Sequence, residues 1–185
     1  MRKLLTFGSI LLFLTLASVP KAYSQVELFG GYSRLQLSGA PSTSSNGWAG
    51  GAYLHLLGPW GIEADYSKHY GVSSVTALTS GGHPYYVPGF TQLYGPRFTL
   101  ALPKVHPYVH ALFGTVNGEA TAPFTGAGLT EKAFGMAFGG GLNVKATGRI
   151  WVRLIQVDYL RAQFTNNAQN DMRISAGLVF RFGNW

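Results

Sequence analysis

The segment from Asp171 to Gly183 constrains the fold more than any other part of the chain, because its residues alternate between two chemically different faces. One face carries Ile174, Ala176, Leu178, Phe180 and Phe182, and the other carries Arg173, Ser175, Gly177, Val179 and Arg181. A period of two predicts a β-strand. Large apolar groups opposite arginines are typical of a strand with lipid outside and a polar lumen inside. A soluble sandwich shows the same alternation, so this segment alone is compatible with both a membrane barrel and a soluble sandwich.

The N-terminus indicates export. Arg2 and Lys3 precede an apolar run, 4–17, which is too short to span a membrane comfortably as a helix. Pro20 ends this run, and Ala22 and Ser24 suit the −3 and −1 positions of a cleavage site before Gln25. We therefore predict a signal peptide over residues 1–24 and one domain over residues 25–185. An uncleaved N-terminal anchor is the alternative interpretation.

The composition favours a membrane barrel. Charged residues make up 11% of the chain, against about 25% in soluble domains, whereas aromatic residues reach 14% and glycine numbers 25. The sequence has no second long apolar run. It has no cysteine, which excludes disulfides and thiolate chemistry. Part of the net charge of +7 belongs to the predicted signal peptide, and export argues against nucleic-acid binding.

Eight segments of residues 25–185 have the character of strands. We predict them at 26–38, 47–57, 61–70, 89–102, 107–116, 132–145, 149–161 and 171–183. Short connections near Pro59, Pro103 and Gly148 alternate with four longer ones at 39–46, 72–87, 117–131 and 163–170, which are rich in Ser, Thr, Gly, Asn and Pro. This alternation is typical of an up-and-down barrel whose short turns face the periplasm and whose long loops face outside. The predicted fold is therefore an all-β, eight-stranded, antiparallel transmembrane barrel.

Two predicted strands contain irregularities. In the seventh strand, Arg153 and Asp158 should both face inward but have opposite parity, which predicts a bulge near Leu154 and Ile155. In the fourth strand, Pro96 lacks an N–H for the ladder, so we expect a bulge or a local distortion there.

The chain resembles the small, porin-like outer-membrane β-barrel family of OmpA-type and OmpX-type domains. The resemblance is carried by three segments, 26–33 (VELFGGYS), 153–159 (RLIQVDY) and 174–182 (ISAGLVFRF). It implies a bacterial outer-membrane location, contact with outer-membrane lipid, and assembly by the barrel-assembly machinery. In that family the last strand is the assembly signal, which the resemblance places at Leu178, Phe180 and Phe182.

Polar residues on the predicted inner faces are the candidate site. They are Glu27, Glu63, Asp65, Arg97, His110, Lys145, Arg153, Asp158, Arg173 and Arg181. An eight-stranded barrel is just wide enough for side chains, and buried charges must be paired. We therefore predict an internal ion-pair network with a structural role. A narrow gated path, or an acid–base site at Glu63 and Asp65, is the alternative.

We expect neither an enzyme nor a cofactor. The five histidines show no metal-ligand spacing, and the sequence lacks a nucleophile elbow and a phosphate loop. His69 with Ser67, Ser73 or Ser74 is the one arrangement that would suit a lipid-modifying barrel enzyme. A soluble lipocalin-like carrier is the other alternative, and it would reverse the orientation of every strand. The predicted function is structural or surface interaction through the long loops, with at most a very narrow pore.

Aromatic residues near the predicted strand ends should form the interfacial girdles of such a barrel. They include Tyr32, Trp48, Tyr66, Trp151 and Tyr159.

Overall fold

Eight antiparallel strands close into one barrel. The computed structural model describes residues 25–37, 44–70, 87–121, 128–164 and 168–183, so the predicted signal peptide lies outside the described residues. The strands are β1 (Val26–Leu37), β2 (Ser44–Leu57), β3 (Trp60–Tyr70), β4 (Val87–Thr99), β5 (Val105–Thr121), β6 (Gly128–Thr147), β7 (Ile150–Gln163) and β8 (Ala168–Phe182). Each strand pairs with the next, and β1 pairs with β8. The predicted eight-stranded up-and-down barrel is confirmed.

The two ends of the barrel differ in their connections. At one end, the turn end, β2–β3 and β6–β7 are joined by two residues each, and residues 100–104 join β4 to β5. Gly58 and Gly148 adopt φ values of 57° and 36°, a region that glycine enters without steric cost. The other end, the loop end, carries the remaining connections. No helix among the described residues is long and apolar enough to cross a membrane.

The connections at the loop end are shorter than predicted, apart from residues 71–86. Strand β5 continues to Thr121 and β6 begins at Gly128, so most of the predicted loop 117–131 is a paired hairpin. The ladder extends because backbone hydrogen bonds form regardless of whether the side chains are apolar. The prediction of four long loops was therefore wrong for this hairpin.

The irregularity predicted in β7 is present. The register between β7 and β8 shifts between Arg153 and Gln156, which places both side chains in the interior. In β4, the register on either side of Gly95 and Pro96 is unchanged, although neither residue is paired with β5. The expected disturbance at Pro96 is a local gap in the ladder, and the bulge in this strand lies between Pro88 and Phe90.

The barrel is apolar outside and polar inside. Leu28, Ile62, Val109 and Phe138 are exposed on the outer face, whereas four arginines and five carboxylates are buried inside. A lipocalin-like carrier would have the opposite distribution. The observed distribution is that of a barrel surrounded by lipid.

Candidate functional site

Two glutamates begin a continuous series of ion pairs across the interior. Glu27 on β1 lies 2.6 Å from Arg181 Nη2 and 3.2 Å from Arg97 Nη2. Glu63 on β3 lies 3.6 Å from Arg97 Nη1 and 3.8 Å from Arg153 Nη1. These side chains are at most 3% exposed. Arg97 therefore links two carboxylates from different strands.

His110 on β5 connects this group to a second one. Its Nδ1 lies 2.7 Å from Glu63 Oε2 and its Nε2 lies 2.8 Å from Asp158 Oδ1. Ionised carboxylates only accept hydrogen bonds, so both contacts form together when both ring nitrogens carry hydrogen. Arg173 on β8 then donates to Asp158 Oδ2 and to Asp65 Oδ1, each at 2.6 Å.

The resulting ion-pair network runs from the turn end toward the middle of the barrel. It follows the order Arg181, Glu27, Arg97, Glu63, His110, Asp158, Arg173 and Asp65, and Arg153 branches from Glu63. Its members come from six of the eight strands. Their mutual pairing offsets the cost of removing each charge from water.

Aromatic rings alternate with the guanidinium groups of the network. Arg97 Cζ lies 4.3 Å from the Tyr53 ring centroid and 3.7 Å from that of Tyr108. Arg153 Cζ lies 3.9 Å from the Phe29 ring centroid, and Arg181 Cζ lies 3.5 Å from the Trp151 ring. Such cation–π contacts gain strength when they are removed from water. They help to fill the lumen between the ion pairs.

Strand β6 contributes no ion pair to the network among the described residues and makes room for it. A Cβ at Gly139 would collide with Asp158 Oδ1 and with the Val157 carbonyl oxygen. A Cβ at Gly141 would lie 2.6 Å from the Tyr108 hydroxyl oxygen. Inward glycine on this strand therefore lets side chains from β5 and β7 occupy the lumen.

The interior changes character toward the loop end. The loop-side apolar cluster is a contiguous set of buried residues from β1, β4, β5, β6 and β7, together with Phe164 directly after β7. It consists of Leu35, Leu37, Leu93, Leu112, Val116, Ala133, Ala137, Leu160, Ala162 and Phe164. On β3 and β8 the interior stays polar toward the loop end, where Ser67, His69, Gln169 and Asp171 are buried beside this cluster.

A family of known proteins matches the sequence over most of its length. The sequence matches the model of the outer membrane protein beta-barrel domain over residues 9–182. The chain belongs to this family. Its location is therefore the bacterial outer membrane. No curated protein matches the sequence.

Solved outer-membrane barrels share the fold at low sequence identity. Neisserial surface protein A is 12% identical, with a TM-score of 0.59 over 86% of this chain and 97% of that one. The attachment invasion locus protein Ail of Yersinia pestis, in complex with the heparin analogue sucrose octasulfate, is 15% identical, with a TM-score of 0.56 over 86% and 99%. The N-terminal barrel of Pseudomonas aeruginosa OprF is 13% identical, with a TM-score of 0.58 over 85% and 97%.

Nine of the ten candidate residues lie in the interior of this outer-membrane barrel. Lys145 does not, because it is exposed beside the β6–β7 turn. It shares the inward parity of Asn143 but lies near the end of β6, beyond Val144, the last residue of this strand that pairs with β5. Trp151 also departs from its predicted place in the girdle, since it is buried against Arg181.

The candidate catalytic histidine faces the lumen. His69 is buried, and its Nε2 lies 3.0 Å from Ser33 Oγ. Its Nδ1 has no hydrogen-bond partner among the described residues, so no acid completes a relay there. Ser67 instead contacts Thr91 and Arg173. Ser73 and Ser74 lie outside the described residues. No group of three potential metal ligands occurs in the described part of the chain.

Tyr53, Tyr108 and Asp171 lie in the interior and were not among the candidate residues. Tyr108 donates to Gln156 Oε1 at 2.7 Å, and Arg153 donates to the same oxygen. Asn143 accepts from Arg153 Nε at 3.2 Å, and Tyr53 stacks on Arg97. The available signal was parity: Tyr108 is two residues from His110, on the same face of β5.

Proposed function

We propose that the protein is exported by residues 1–24 and acts in the outer membrane as a non-enzymatic barrel with a closed interior. Its contacts with other molecules then run over its outer surface and its loop end. The observation that carries this proposal is the continuous ion-pair network, whose buried side chains occupy the lumen. Buried charges that are paired with one another in this way suit a structural core better than a reaction site.

The role of the loop end is surface interaction. Two solved barrels of the same fold are described as a surface protein and an attachment protein. We extend that role to this chain as part of the proposal. The absence of an acid partner for His69 among the described residues favours it over lipid-modifying catalysis.

Heat-modifiable gel migration of the protein from isolated outer membranes tests the location and fold. A folded band that shifts on boiling is expected. A variant with Leu11→Arg and Leu12→Arg in the predicted signal peptide should stay in the cytoplasm as an unprocessed precursor. Recovery of this variant in the outer membrane would contradict export by residues 1–24.

Planar-bilayer recording tests the closed interior. The purified barrel should give no conductance steps under voltage, because its lumen is occupied by paired side chains. Steady conductance in samples whose heat shift is intact would contradict the closed interior, and it would favour the narrow pore.

We further propose that Leu178, Phe180 and Phe182 form the assembly signal. All three are exposed on the outer face of β8. Phe180→Ala with Phe182→Ala should reduce assembly in cells while leaving refolding in detergent intact. The matched control replaces Phe113 and Phe138, a lipid-facing pair with ring centroids 5.8 Å apart on β5 and β6. Equal assembly defects in both variants would contradict a role specific to the last strand.

A further inference from the structure

Three exposed basic residues at the turn end have no part in the ion-pair network. Lys104 lies in the β4–β5 connection, Lys145 lies near the end of β6, and Arg149 lies in the β6–β7 turn. None of them forms an ion pair with a carboxylate of the described residues. A closed structural barrel gives these three charges no role.

All three residues continue the inward faces of their strands. Lys104 precedes the buried His106 by two residues, and Arg149 precedes the buried Trp151 by two residues. Lys145 has the inward parity already described. Residues two apart along a strand lie on the same face, so these side chains lie on the axis side of the wall and not on its lipid side. At the ends of the strands, this side is the mouth of the lumen.

The backbone register places two of these charges opposite each other. The Lys145 N–H donates to the Lys104 carbonyl oxygen at 2.9 Å, which continues the β5–β6 ladder one residue beyond the pair of Val105 and Val144. Like charges directly opposite each other on one face of an antiparallel pair destabilise the pair. A bound anion between the two ammonium groups would remove this repulsion.

A second pair of like charges stands between β7 and β8. The Arg181 N–H donates to the Arg149 carbonyl oxygen at 2.9 Å, which continues the β7–β8 ladder by one residue. Glu27 lies 2.6 Å from Arg181 Nη2, but it also lies 3.2 Å from Arg97 Nη2. One carboxylate is therefore shared by two buried arginines, and it does not balance Arg149 as well.

The acidic side chains of the sequence lie elsewhere. The chain has seven Asp and Glu residues, of which five are buried in the interior. The other two, Glu119 and Glu131, belong to the β5–β6 hairpin at the loop end. Neighbouring strands are about 4.8 Å apart, so three cations on β5, β6 and β7 and their turns fall within an arc of about 10 Å. This spacing suits one compact anion with more than one negative charge.

We propose that Lys104, Lys145 and Arg149 form a cationic turn-end mouth that binds a phosphate-bearing anion from the periplasm. The inference rests on the orientation in the proposed function, which places the short turns in the periplasm. A phosphate group carries about two negative charges and several acceptor oxygens, which match three cations better than a single carboxylate does. Arginine binds it through a planar fork and lysine as a compact charge.

A soluble anion is favoured over a lipid headgroup because of the faces that these residues occupy. Lipid surrounds the outer faces of the strands, whereas the three cations continue the inner faces. A soluble phosphate compound reaches the mouth along the barrel axis.

Isothermal titration calorimetry of the full chain recovered from outer membranes tests the turn-end mouth. The probe is sodium tripolyphosphate, added at low salt to the barrel in a non-ionic detergent. The mouth variant carries Lys104→Gln, Lys145→Gln and Arg149→Gln. It should bind the probe about tenfold more weakly than the wild type or weaker still, because each exposed ion pair contributes roughly two- to fivefold in affinity.

The matched control carries Arg34→Gln, Lys68→Gln and Lys132→Gln, which also remove two lysines and one arginine, but from exposed positions toward the loop end. It should bind like the wild type. Should the mouth variant fail to fold, Lys145→Gln alone should weaken binding roughly two- to fivefold. Equal losses in the mouth and control variants would show an effect of net charge alone and would overturn the site. A folded wild type that binds no probe would also overturn it.

Reconstitution in phosphatidylcholine nanodiscs separates a soluble ligand from a lipid headgroup. The wild type should bind tripolyphosphate in nanodiscs as it does in detergent. Loss of binding in nanodiscs would show that headgroups occupy the three cations, and it would overturn a mouth open to soluble anions. A wild type without a heat-shifted band would instead overturn the proposed function, so the two failures are distinguishable.

Discussion

On β5, His110 and Leu112 are successive inward residues, yet they belong to two different interiors. His110 bridges two carboxylates in the ion-pair network, whereas Leu112 is fully buried in the loop-side apolar cluster. The same change occurs on β7 between Asp158 and Leu160. On both strands, the next inward residue along the same face thus marks the change from ion pairs to apolar packing.

The comparison shows that the alternation of residues along a strand determines which way a side chain points, but not which residue it contacts. A buried charge needs specific partners at hydrogen-bonding distance, so the ion-pair network depends on six strands meeting in one register. A buried leucine needs only contact with apolar neighbours of suitable volume. The network should therefore tolerate the loss of one member less well than the apolar cluster does.

The largest expected effect is from Arg173→Met. This change removes the positive charge between Asp65 and Asp158 and leaves two buried carboxylates without it, which should destabilise the barrel by about 3–5 kcal/mol. Urea unfolding of the refolded barrel in detergent measures the change. Arg149→Met, at an exposed turn residue, is the control and should stay close to wild type. A similar small effect from both variants would show that the pairs around Arg173 contribute little.

Leu112→Ala tests the other interior and should cost about 3 kcal/mol. The substitution leaves a cavity among tightly packed apolar side chains, and such cavities cost about 2–5 kcal/mol. The same urea titration measures it, with Leu102→Ala as the control, since Leu102 is exposed in the β4–β5 turn. A loss larger than that of Arg173→Met would reverse the proposed ranking of the two interiors.

The sequence predicted the charged interior better than the apolar one for a physical reason. A charged side chain within a membrane barrel is stable only when it points into the lumen. Glu27, Arg97 and Asp158 could therefore be assigned inward from their chemistry. An inward leucine is chemically identical to a lipid-facing one. Leu112 and Phe113 can be told apart only through their parity relative to His110.

The odd or even position of a residue along its strand stops predicting burial where the register shifts or where the strand nears its end. The bulge after Arg153 was predictable because a charge stood on either side of it. The partner of each charge was not predictable, since it depends on the stagger between distant strands. Arg173 meets Asp65 on a strand 108 positions earlier in the chain. Extension of the β5–β6 hairpin also escaped prediction, because its side chains carry little strand signal.

Gly139→Ala should have an intermediate effect of about 1–3 kcal/mol. The added methyl group would collide with the Asp158 carboxylate and the Val157 carbonyl oxygen, and a crowded interior relaxes poorly. Gly30→Ala is the control, because a Cβ at Gly30 meets nothing within 4 Å. Both changes are glycine to alanine within a strand, so their difference isolates the crowding around the network. Equal urea midpoints for the two variants would show that the interior at β6 accommodates the added methyl group.

The smallest expected effect is from Lys145→Gln, which tests where the charged interior ends. Lys145 has the inward parity of the network but is exposed, so removing its charge should change stability by less than about 0.5 kcal/mol. Arg153→Gln is the informative partner, because Arg153 has the same charge and is buried against Glu63 and the Phe29 ring. Its loss should cost several times more in the same titration. A comparable loss from both substitutions would mean that the network extends to Lys145, and that inward parity, without burial, is enough to recruit a charge into it.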